Sequence, residues 1–283
     1  HDATWLSWPH HEPDWPGKLS AIPWVYAEIA RVLHRHERVE ILCHDESVRA
    51  SAEKHLAAHG VREGVRLHVV PTDRVWLRDS CPTWVNRNGK AELANWRFNG
   101  WAKYDNFGQD ARVGEAVAKL TGTPRVEPTR PDNGDRLVLE GGAIDTDGQG
   151  TLLTTEECLL SSVQSRNPGL TREQYERAFA TSLGIRKTIW LGEGCVGDDT
   201  HGHVDDIARF VAPGVVVLAY EADPADENHK RSEDNLIRLE KAGGVRVVKL
   251  PYPRAVEMDG ERLPASYANF YISNCVVIGP TFN

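Results

Sequence analysis

The sequence predicts an α/β fold made of repeated ββαβ units. The first observation is a recurring order of hairpin, helix and strand, with a period of about 60–65 residues. The second is the spacing of three acids, Asp79, Glu140 and Asp205, which are 61 and 65 residues apart and lie in or beside apolar segments. The third is a composition of 40% hydrophobic and 26% charged residues, which is typical of a globular protein. We expect one domain over residues 1–283, in which each unit delivers an acid to a shared centre.

The first third of the chain predicts alternating helices and strands. Residues 1–15 are rich in Trp, His and Pro and are predicted to form a strap over the body of the protein. Apolar residues at helical spacing follow Ser20 and end at Leu33. The other elements predicted here are a strand over 39–43, a helix over 46–59 that ends at Gly60, and a strand over 65–70.

Three predicted hairpins mark the repeated units. Asn88-Gly89 is a two-residue turn signal between the apolar segments 82–85 and 93–98. A capping box from Thr171 to Gln174 begins a helix that ends near residue 183. The later predicted hairpins pair 137–144 with 151–154 and 204–211 with 215–220. The remaining predicted helices cover 110–120 and 227–242, and the remaining predicted strands cover 187–191, 245–250 and 270–279.

The segment 194–210 holds the densest set of polar side chains and reads G-C-V-G-D-D-T-H-G-H-V-D-D-I-A-R-F. On an extended strand, alternate side chains share a face, so His201, His203 and Asp205 are expected to lie side by side. An imidazole beside a carboxylate is suited to binding a cation and moving its protons. With the other two acids of the repeat, these side chains predict an acidic pocket that fits a guanidinium or a diamine.

Charge and composition exclude several classes of function. The net charge of −8 and the pI of about 5.9 disfavour binding to nucleic acid or to an anionic membrane. No apolar run is long enough to span a bilayer, so no membrane partner is expected. No signal peptide is visible, although the sequence begins at His1 without a Met. Five cysteines without CxxC pairing favour free thiols in a cytoplasmic protein: Cys43, Cys81, Cys158, Cys195 and Cys275.

Three motifs together resemble the agmatine deiminases of the Porphyromonas-type peptidyl-arginine deiminase family. They are W-L-R-D-S-C-P-T (76–83), L-E-G-G-A-I (139–144) and D-D-T-H-G-H-V-D-D-I-A-R-F (198–210). The resemblance implies the pentein fold of the guanidine-modifying superfamily, a five-bladed α/β propeller with an axial active site. It also implies hydrolysis of agmatine to N-carbamoylputrescine and ammonia, a reaction of putrescine and polyamine biosynthesis. No metal and no organic cofactor are implied.

The resemblance also assigns roles to individual residues. Asp79 and Asp205 match the carboxylates that bind the guanidinium, and Glu140 matches the acid beside them. His203 matches the general acid and base, and Trp76 matches an aromatic wall along the substrate. The sequence therefore predicts a catalytic set of His203, Glu140, Asp79 and Asp205.

The nucleophile that this chemistry requires is not identified in the sequence. The guanidinium carbon is a poor electrophile, and the superfamily attacks it with a cysteine thiolate from a His-Cys segment near the C-terminus. Residues 1–283 contain no His-Cys pair. We expect that the last unit of the fold is missing and that the nucleophile lies beyond it. Among the cysteines present, Cys195 is the candidate substitute, while Cys43 and Cys275 are expected to be inert inside apolar strands.

The acidic residues near the site favour agmatine over arginine. Agmatine carries a guanidinium at one end and an ammonium at the other, and four acids are candidates to receive the ammonium: Glu12, Asp14, Asp198 and Asp199. Of these, Asp199 matches the position where the family often has an acid near the substrate's amine. The alternative is an arginine or peptidyl-arginine deiminase, for which Arg97 is the candidate that binds the substrate carboxylate.

A metal-dependent hydrolase is the alternative of another class. His201-x-His203-x-Asp205 has the spacing of a metal-binding strand, and a divalent cation there activates water. Further histidines are available to complete such a site: His10, His11 and His44. A third reading is a binding protein that kept the pocket and lost the nucleophile. A homo-oligomer is compatible with all three.

Overall fold

The computed structural model describes residues 1–282 of the chain, and its N-terminal part alternates strands with helices. Three parallel strands form one sheet in the order β1-β2-β3. The predicted strap is only partly correct, because residues within it form β1 and pair with β2. The elements of this part are β1 (Ala3–Ser7), α1 (Ile22–Leu33), β2 (Arg38–Cys43), α2 (Glu46–Ala58), β3 (Val65–Val69) and α3 (Leu77–Ser80).

The predicted ββαβ order then occurs three times along the chain. In each case an antiparallel hairpin is followed by a helix and by a strand that is parallel to the second hairpin strand. The first repeat is β4 (Thr83–Arg87), β5 (Lys90–Ala94), α4 (Val113–Thr121) and β6 (Arg125–Val126). The second is β7 (Asp145–Thr146), β8 (Thr151–Thr155), α5 (Glu156–Leu160), α6 (Arg172–Leu183) and β9 (Lys187–Leu191). The third is β10 (Ala208–Ala212), β11 (Val215–Tyr220), α7 (Glu227–Ala242) and β12 (Arg246–Pro251).

Two predicted strands are not formed as expected. Residues 137–144 are largely irregular, with one bridge from Val138 to Arg97, and only β7 after them is a strand. Residues 270–279 fold into a hairpin, and Cys275 lies exposed in its turn rather than inside an apolar strand. The last strands are β13 (Glu257–Met258), β14 (Glu261–Arg262), β15 (Tyr271–Ile272) and β16 (Val277–Ile278).

The described chain divides into two compact units. Unit 1 comprises His1–Cys81, Tyr104–Thr123 and Tyr271–Ile278, and unit 2 comprises Pro82–Lys103, Pro124–Phe270 and the residues from Gly279. The core of unit 1 lies between α1, α2 and the first sheet. Unit 2 has two cores, one around α6 and the other around α7 and β11. None of the helices formed by residues 1–282 is long and apolar enough to cross a bilayer.

The second core of unit 2 fixes the segment that follows His203. Val204 is 0% exposed and Ile207 is 2% exposed, and both pack in the cluster that includes Leu218 and Leu239. Burying an aliphatic side chain of this size contributes about 1.5–3 kcal/mol. The polar residues between Val204 and Ile207 are therefore held in place by apolar contacts on both sides.

Candidate active site

Three of the predicted residues meet in unit 2. The Nε2 atom of His203 lies 3.7 Å from Oε2 of Glu140, and its Nδ1 atom lies 3.9 Å from Oδ1 of Asp205. The side chains of His203, Glu140 and Asp205 are only 4%, 0% and 8% exposed. An imidazole between two buried carboxylates is equipped to accept and release protons, because either carboxylate stabilises its protonated form.

Neighbouring backbone turns direct these side chains. Glu140 follows the buried residues 137–139 and precedes a 3-10 turn, Gly141–Ala143. His203 precedes a second 3-10 turn, Val204–Asp206, which contains Asp205. Both catalytic candidates therefore directly precede a tight turn.

The predicted strand over 201–205 is wrong. Residues 198–203 form a loop, in which the Asp198 carboxylate accepts hydrogen bonds from the backbone N–H groups of Thr200, Gly202 and His203 at 2.7–2.9 Å. Gly202 has φ of +93°, and a Cβ there would lie 2.9 Å from the side chain of Glu157. A side chain–backbone network thus competes with strand pairing.

His201 consequently does not share a face with His203 and Asp205. Its Nε2 lies 3.1 Å from the Ser161 hydroxyl and its Nδ1 lies 3.9 Å from a carboxylate oxygen of Glu157. The expected row of three side chains is therefore replaced by one pair, His203 and Asp205, with Glu140 on the other ring nitrogen.

Arg166 is a site residue that the sequence did not reveal. Its Nε donates to Oε1 of Glu140 at 3.1 Å, and both side chains are 0% exposed. Burial acts to raise the pKa of Glu140, but the charges and hydrogen bonds of Arg166 and His203 more than offset it, so the pKa lies below the usual value. No local pattern marks this arginine, because its partner is 26 residues away.

Backbone strain is concentrated in the loops around this cluster. Four of the six non-glycine residues with positive φ in residues 1–282 occur there: Trp101 (59°), Ala102 (53°), Gln164 (45°) and His201 (62°). Conformations of this kind cost about 1–3 kcal/mol each and are typical of functional sites. The Nε2 group of Gln164 joins two of the loops, since it donates to the carbonyl groups of Trp101 and Asp199 at 3.1 and 3.2 Å.

Asp206 adds a buried acid beside Asp205. Burial raises the pKa of Asp206 well above its usual value, and the negative charges of Asp205 and Asp198 raise it further. The amide of Asn269 donates to Asp206 at 2.7 Å. Burial and the two neighbouring charges therefore favour the protonated form of Asp206.

Two further predicted residues, Asp79 and Trp76, lie in unit 1. Asp79 is in α3 and is 6% exposed, and its backbone N–H donates to the carbonyl of Trp76. Trp76 is 39% exposed and stacks on Trp15 with ring centroids 5.9 Å apart. A tryptophan ring is able to bind a flat cationic group against its face.

All four acids predicted to receive an ammonium have partners, and Glu12 accepts a hydrogen bond from the backbone N–H of Gly17 at 3.3 Å. Asp199 forms an ion pair with Lys103, and the two side chains are 50% and 41% exposed. Asp198 is occupied by the backbone of its own loop. Asp14 is paired with Arg74 in unit 1. Of these acids, Asp199 is both exposed and close in sequence to His203, so it is the one best placed to exchange a partner.

Three of the five cysteines are poorly suited to act as the nucleophile. Burial raises the pKa of Cys43, Cys81 and Cys195 to about 12, which disfavours the thiolate at neutral pH. Cys195 is 3% exposed, so the candidate substitute is an inert core residue. Cys158 is also buried, at 1% exposed.

One group of potential metal ligands occurs among residues 1–282. Single donor atoms of Glu140, Cys158 and His203 lie within 4.8 Å of one another, and all three residues are buried. This group differs from the predicted His201, His203 and Asp205 set. It also includes the carboxylate that is already paired with Arg166, whose positive charge opposes a cation at this place.

Comparisons with known proteins show the family to which the chain belongs. The sequence profile of the Porphyromonas-type peptidyl-arginine deiminase family matches residues 1–283. The agmatine deiminase of Stutzerimonas stutzeri is 35% identical over 310 residues, which cover 100% of this chain and 81% of the relative.

Two solved structures are similar along nearly the whole chain. One is a Cys-to-Ser variant of C. jejuni agmatine deiminase with substrate bound, with a TM-score of 0.87 and 27% identity over 99% of this chain and 80% of that one. The other is the agmatine deiminase of Enterococcus faecalis, with a TM-score of 0.85 and 27% identity over 99% of this chain and 81% of that one. The chain therefore belongs to the Porphyromonas-type peptidyl-arginine deiminase family.

Proposed function

We propose that this protein is an agmatine deiminase, which hydrolyses agmatine to N-carbamoylputrescine and ammonia. The observation that carries the proposal is the buried imidazole of His203 between the carboxylates of Glu140 and Asp205. The agmatine deiminases to which the chain is similar support this choice of substrate. The product is one hydrolysis away from putrescine, so the reaction belongs to polyamine biosynthesis. Action in the cytoplasm is part of the same proposal.

In the proposed reaction, a thiolate attacks the guanidinium carbon and a terminal nitrogen leaves as ammonia. His203 donates the proton that this nitrogen needs. His203 then takes a proton from the water that attacks the covalent intermediate. Breakdown of this intermediate releases the thiol. Asp205 holds the guanidinium, and each charge-assisted hydrogen bond contributes about 1.5–3 kcal/mol. Glu140 stabilises the imidazolium form of His203.

The substrate-binding roles of Asp79, Trp76 and Asp199 are part of the proposal. Asp79 is assigned to the guanidinium and Trp76 to the alkyl chain of agmatine. Asp199 is assigned to the terminal ammonium, which then replaces the ammonium of Lys103 as its partner. Because one primary ammonium replaces another, Asp199 has one positively charged partner both before and after the exchange.

We also propose that the nucleophilic cysteine is supplied by residues beyond 283, in a fifth propeller unit. The raised pKa values of Cys43, Cys81 and Cys195 support this, as do relatives of which the chain covers 81% of the length. The three observed ββαβ repeats are compatible with a single propeller domain. Activity is therefore to be measured on the full natural chain.

Agmatine is expected to be a much better substrate than arginine. The carboxylate of arginine is bonded to the same carbon as its ammonium, so it would lie beside Asp199, which is assigned to the ammonium, and like charges at close range cost several kcal/mol. We expect kcat/KM for agmatine to exceed that for arginine by at least about a hundredfold, which corresponds to about 2.7 kcal/mol. Ammonia release from each substrate at equal concentration measures the ratio.

A peptide with internal arginine serves as the control for substrate size and should release no ammonia. Equal kcat/KM values for arginine and agmatine would contradict the proposed substrate. In that case Arg97, which is exposed, becomes the candidate partner of the arginine carboxylate.

A further inference from the structure

Residues Gln164–Asn167 form a short segment in the connection between α5 and α6, and three of their side chains contact the candidate site. We propose that this segment positions the Glu140–His203 pair and that Arg166 is its central positioning residue. The inference rests on the proposed function, because it concerns the geometry of that reaction. It is carried by hydrogen bonds from the segment to the loop 198–203, to the turn 99–103 and to the residues around Glu140.

Arg166 links the Glu140 carboxylate to the loop that carries His203. Its Nε donates to Oε1 of Glu140 at 3.1 Å, and one Nη donates to the carbonyl of Thr200 at 2.5 Å. The other Nη donates to the carbonyl of Gln164 at 3.0 Å. With Oε1 held in this way, Oε2 of Glu140 is turned toward Nε2 of His203 at 3.7 Å. The planar guanidinium therefore sets the relative position of both members of the pair.

Asn167 fixes the backbone that leads to Glu140. Its Oδ1 accepts from the N–H of Val138 at 3.0 Å, and its Nδ2 donates to the carbonyl of Val138 at 2.8 Å and to the hydroxyl of Tyr175 at 2.9 Å. A side-chain amide that bonds both groups of one residue acts like a neighbouring strand. Arg166 thus orients the Glu140 side chain, while Asn167 holds its backbone two residues upstream.

Gln164 ties the same segment to two further loops. It donates to the carbonyl groups of Trp101 and Asp199, and its own φ of 45° places it in the left-handed region. Gln164 is strained, and its two amide hydrogens both bond to loop carbonyls. This indicates that the position of those loops matters. The carbonyl of Asp199 is adjacent to that of Thr200, so Gln164 and Arg166 hold neighbouring points of one loop.

The buried charge of Arg166 is better explained by its role in orienting Glu140 than by a contribution to the stability of the fold. A buried ion pair often adds no net stability over apolar residues of the same size, because desolvation offsets the attraction. The groups that face Glu140 are Arg166, His203, Cys158 and Tyr175, of which Arg166 alone is a permanent cation. It keeps the carboxylate ionised while one oxygen stays directed at the imidazole.

Arg166→Lys and Arg166→Met, made in the full natural chain, test the inference. Arg166→Lys retains the charge but loses the planar fork, and we expect kcat for agmatine to fall about tenfold with little change in KM. Arg166→Met should lower kcat by at least about a hundredfold. Without the cation the pKa of Glu140 rises. As the pH is lowered, activity that needs the carboxylate is then lost at a higher pH than in the parent. The acid limb of the kcat/KM profile should therefore move to higher pH.

The matched control is Arg209→Lys. Arg209 forms a buried ion pair of the same kind, with Nε 3.1 Å from Oδ1 of Asp145, and its Nη1 donates to the carbonyl of Phe270 at 2.6 Å. This variant is expected to keep kcat within about twofold and to leave the acid limb in place. A loss of kcat in Arg209→Lys as large as in Arg166→Lys, with equal falls in melting temperature, would mean that Arg166 is only structural.

A direct titration separates this inference from the proposed function. Carbon NMR of ¹³C-labelled glutamate carboxyl groups should give a higher pKa for Glu140 in Arg166→Met than in the parent, and an intermediate change in Arg166→Lys if the first variant does not fold. Unchanged kcat and an unchanged Glu140 titration in the variants would overturn the inference. A parent protein that releases no ammonia from agmatine would refute the proposed function, and the titration alone would then decide the role of Arg166.

Discussion

His203→Ala is expected to lower kcat for agmatine by about two to four orders of magnitude, which is the usual contribution of a general acid and base. The imidazole lies between Glu140 and Asp205, 3.7 Å from a carboxylate oxygen of the first and 3.9 Å from one of the second. Its removal leaves no proton donor for the departing ammonia but retains both carboxylates. Agmatine binding, measured by calorimetry, should therefore persist while ammonia release is lost.

His201→Ala is the matched control for this prediction. His201 contacts Ser161 on the other side of its loop and lies outside the pair of carboxylates. We expect its replacement to reduce kcat by less than about tenfold, through the loop alone. If both histidine variants lose activity to the same degree, the assignment of proton transfer to His203 is wrong.

Glu140→Gln and Asp205→Asn should each lower kcat by at least about two orders of magnitude, because a neutral amide cannot balance a cationic substrate or an imidazolium. Their effects on stability should differ. Glu140→Gln leaves the buried charge of Arg166 without its counter-charge, and removing one member of a buried pair costs about 3–5 kcal/mol. Asp205→Asn is expected to lower stability less, because the neighbour of Asp205 is the imidazole of His203 at 3.9 Å, which can lose its charge when the carboxylate is replaced.

Urea unfolding and agmatine turnover, measured on the same preparations, check both parts. Asp132→Asn is a suitable control, since this carboxylate pairs with Arg130 at the surface, away from His203. It should change neither kcat nor stability measurably. Near-parental activity in both site variants would contradict the proposed site.

Helices and strands were predictable from the sequence where interactions between neighbouring residues determine them. The helix α7 and the strand β9 have the predicted bounds, because a continuous helical pattern ends at Gly243 and an apolar run follows Gly184. The capping box at Thr171 is present as predicted. The repeat of hairpin, helix and strand was also predictable, since each unit carries its own turn and cap signals.

The backbone conformation of residues 198–206 was not predictable from the two-residue spacing of its polar side chains. Its two histidines and its acids have the spacing of a strand, but the Asp198 carboxylate bonds three backbone N–H groups of its own loop. Gly202 then turns the chain in a conformation that other residues adopt only with strain. These are interactions of one side chain with its neighbours, and they override the periodicity.

The composition of the site was predictable only in part. Glu140, His203 and Asp205 come together as their motifs indicated, whereas Arg166 was missed because its ion pair joins distant parts of the chain. Asp199 was predicted to be available to a substrate, and the structure pairs it with Lys103. Pairing between charged side chains depends on the fold, so sequence spacing does not reveal it.

The identity of the products of agmatine is the most direct test of the central claim. With EDTA-treated full-length protein in ¹⁸O-labelled water, we expect ammonia and N-carbamoylputrescine with one ¹⁸O in the new carbonyl group, detected by mass spectrometry. Thiolate chemistry with His203 as acid and base needs no metal, so EDTA should leave the rate unchanged. Putrescine and urea as products, or activity lost with EDTA and restored by zinc, would contradict the account and favour a metal-dependent hydrolase.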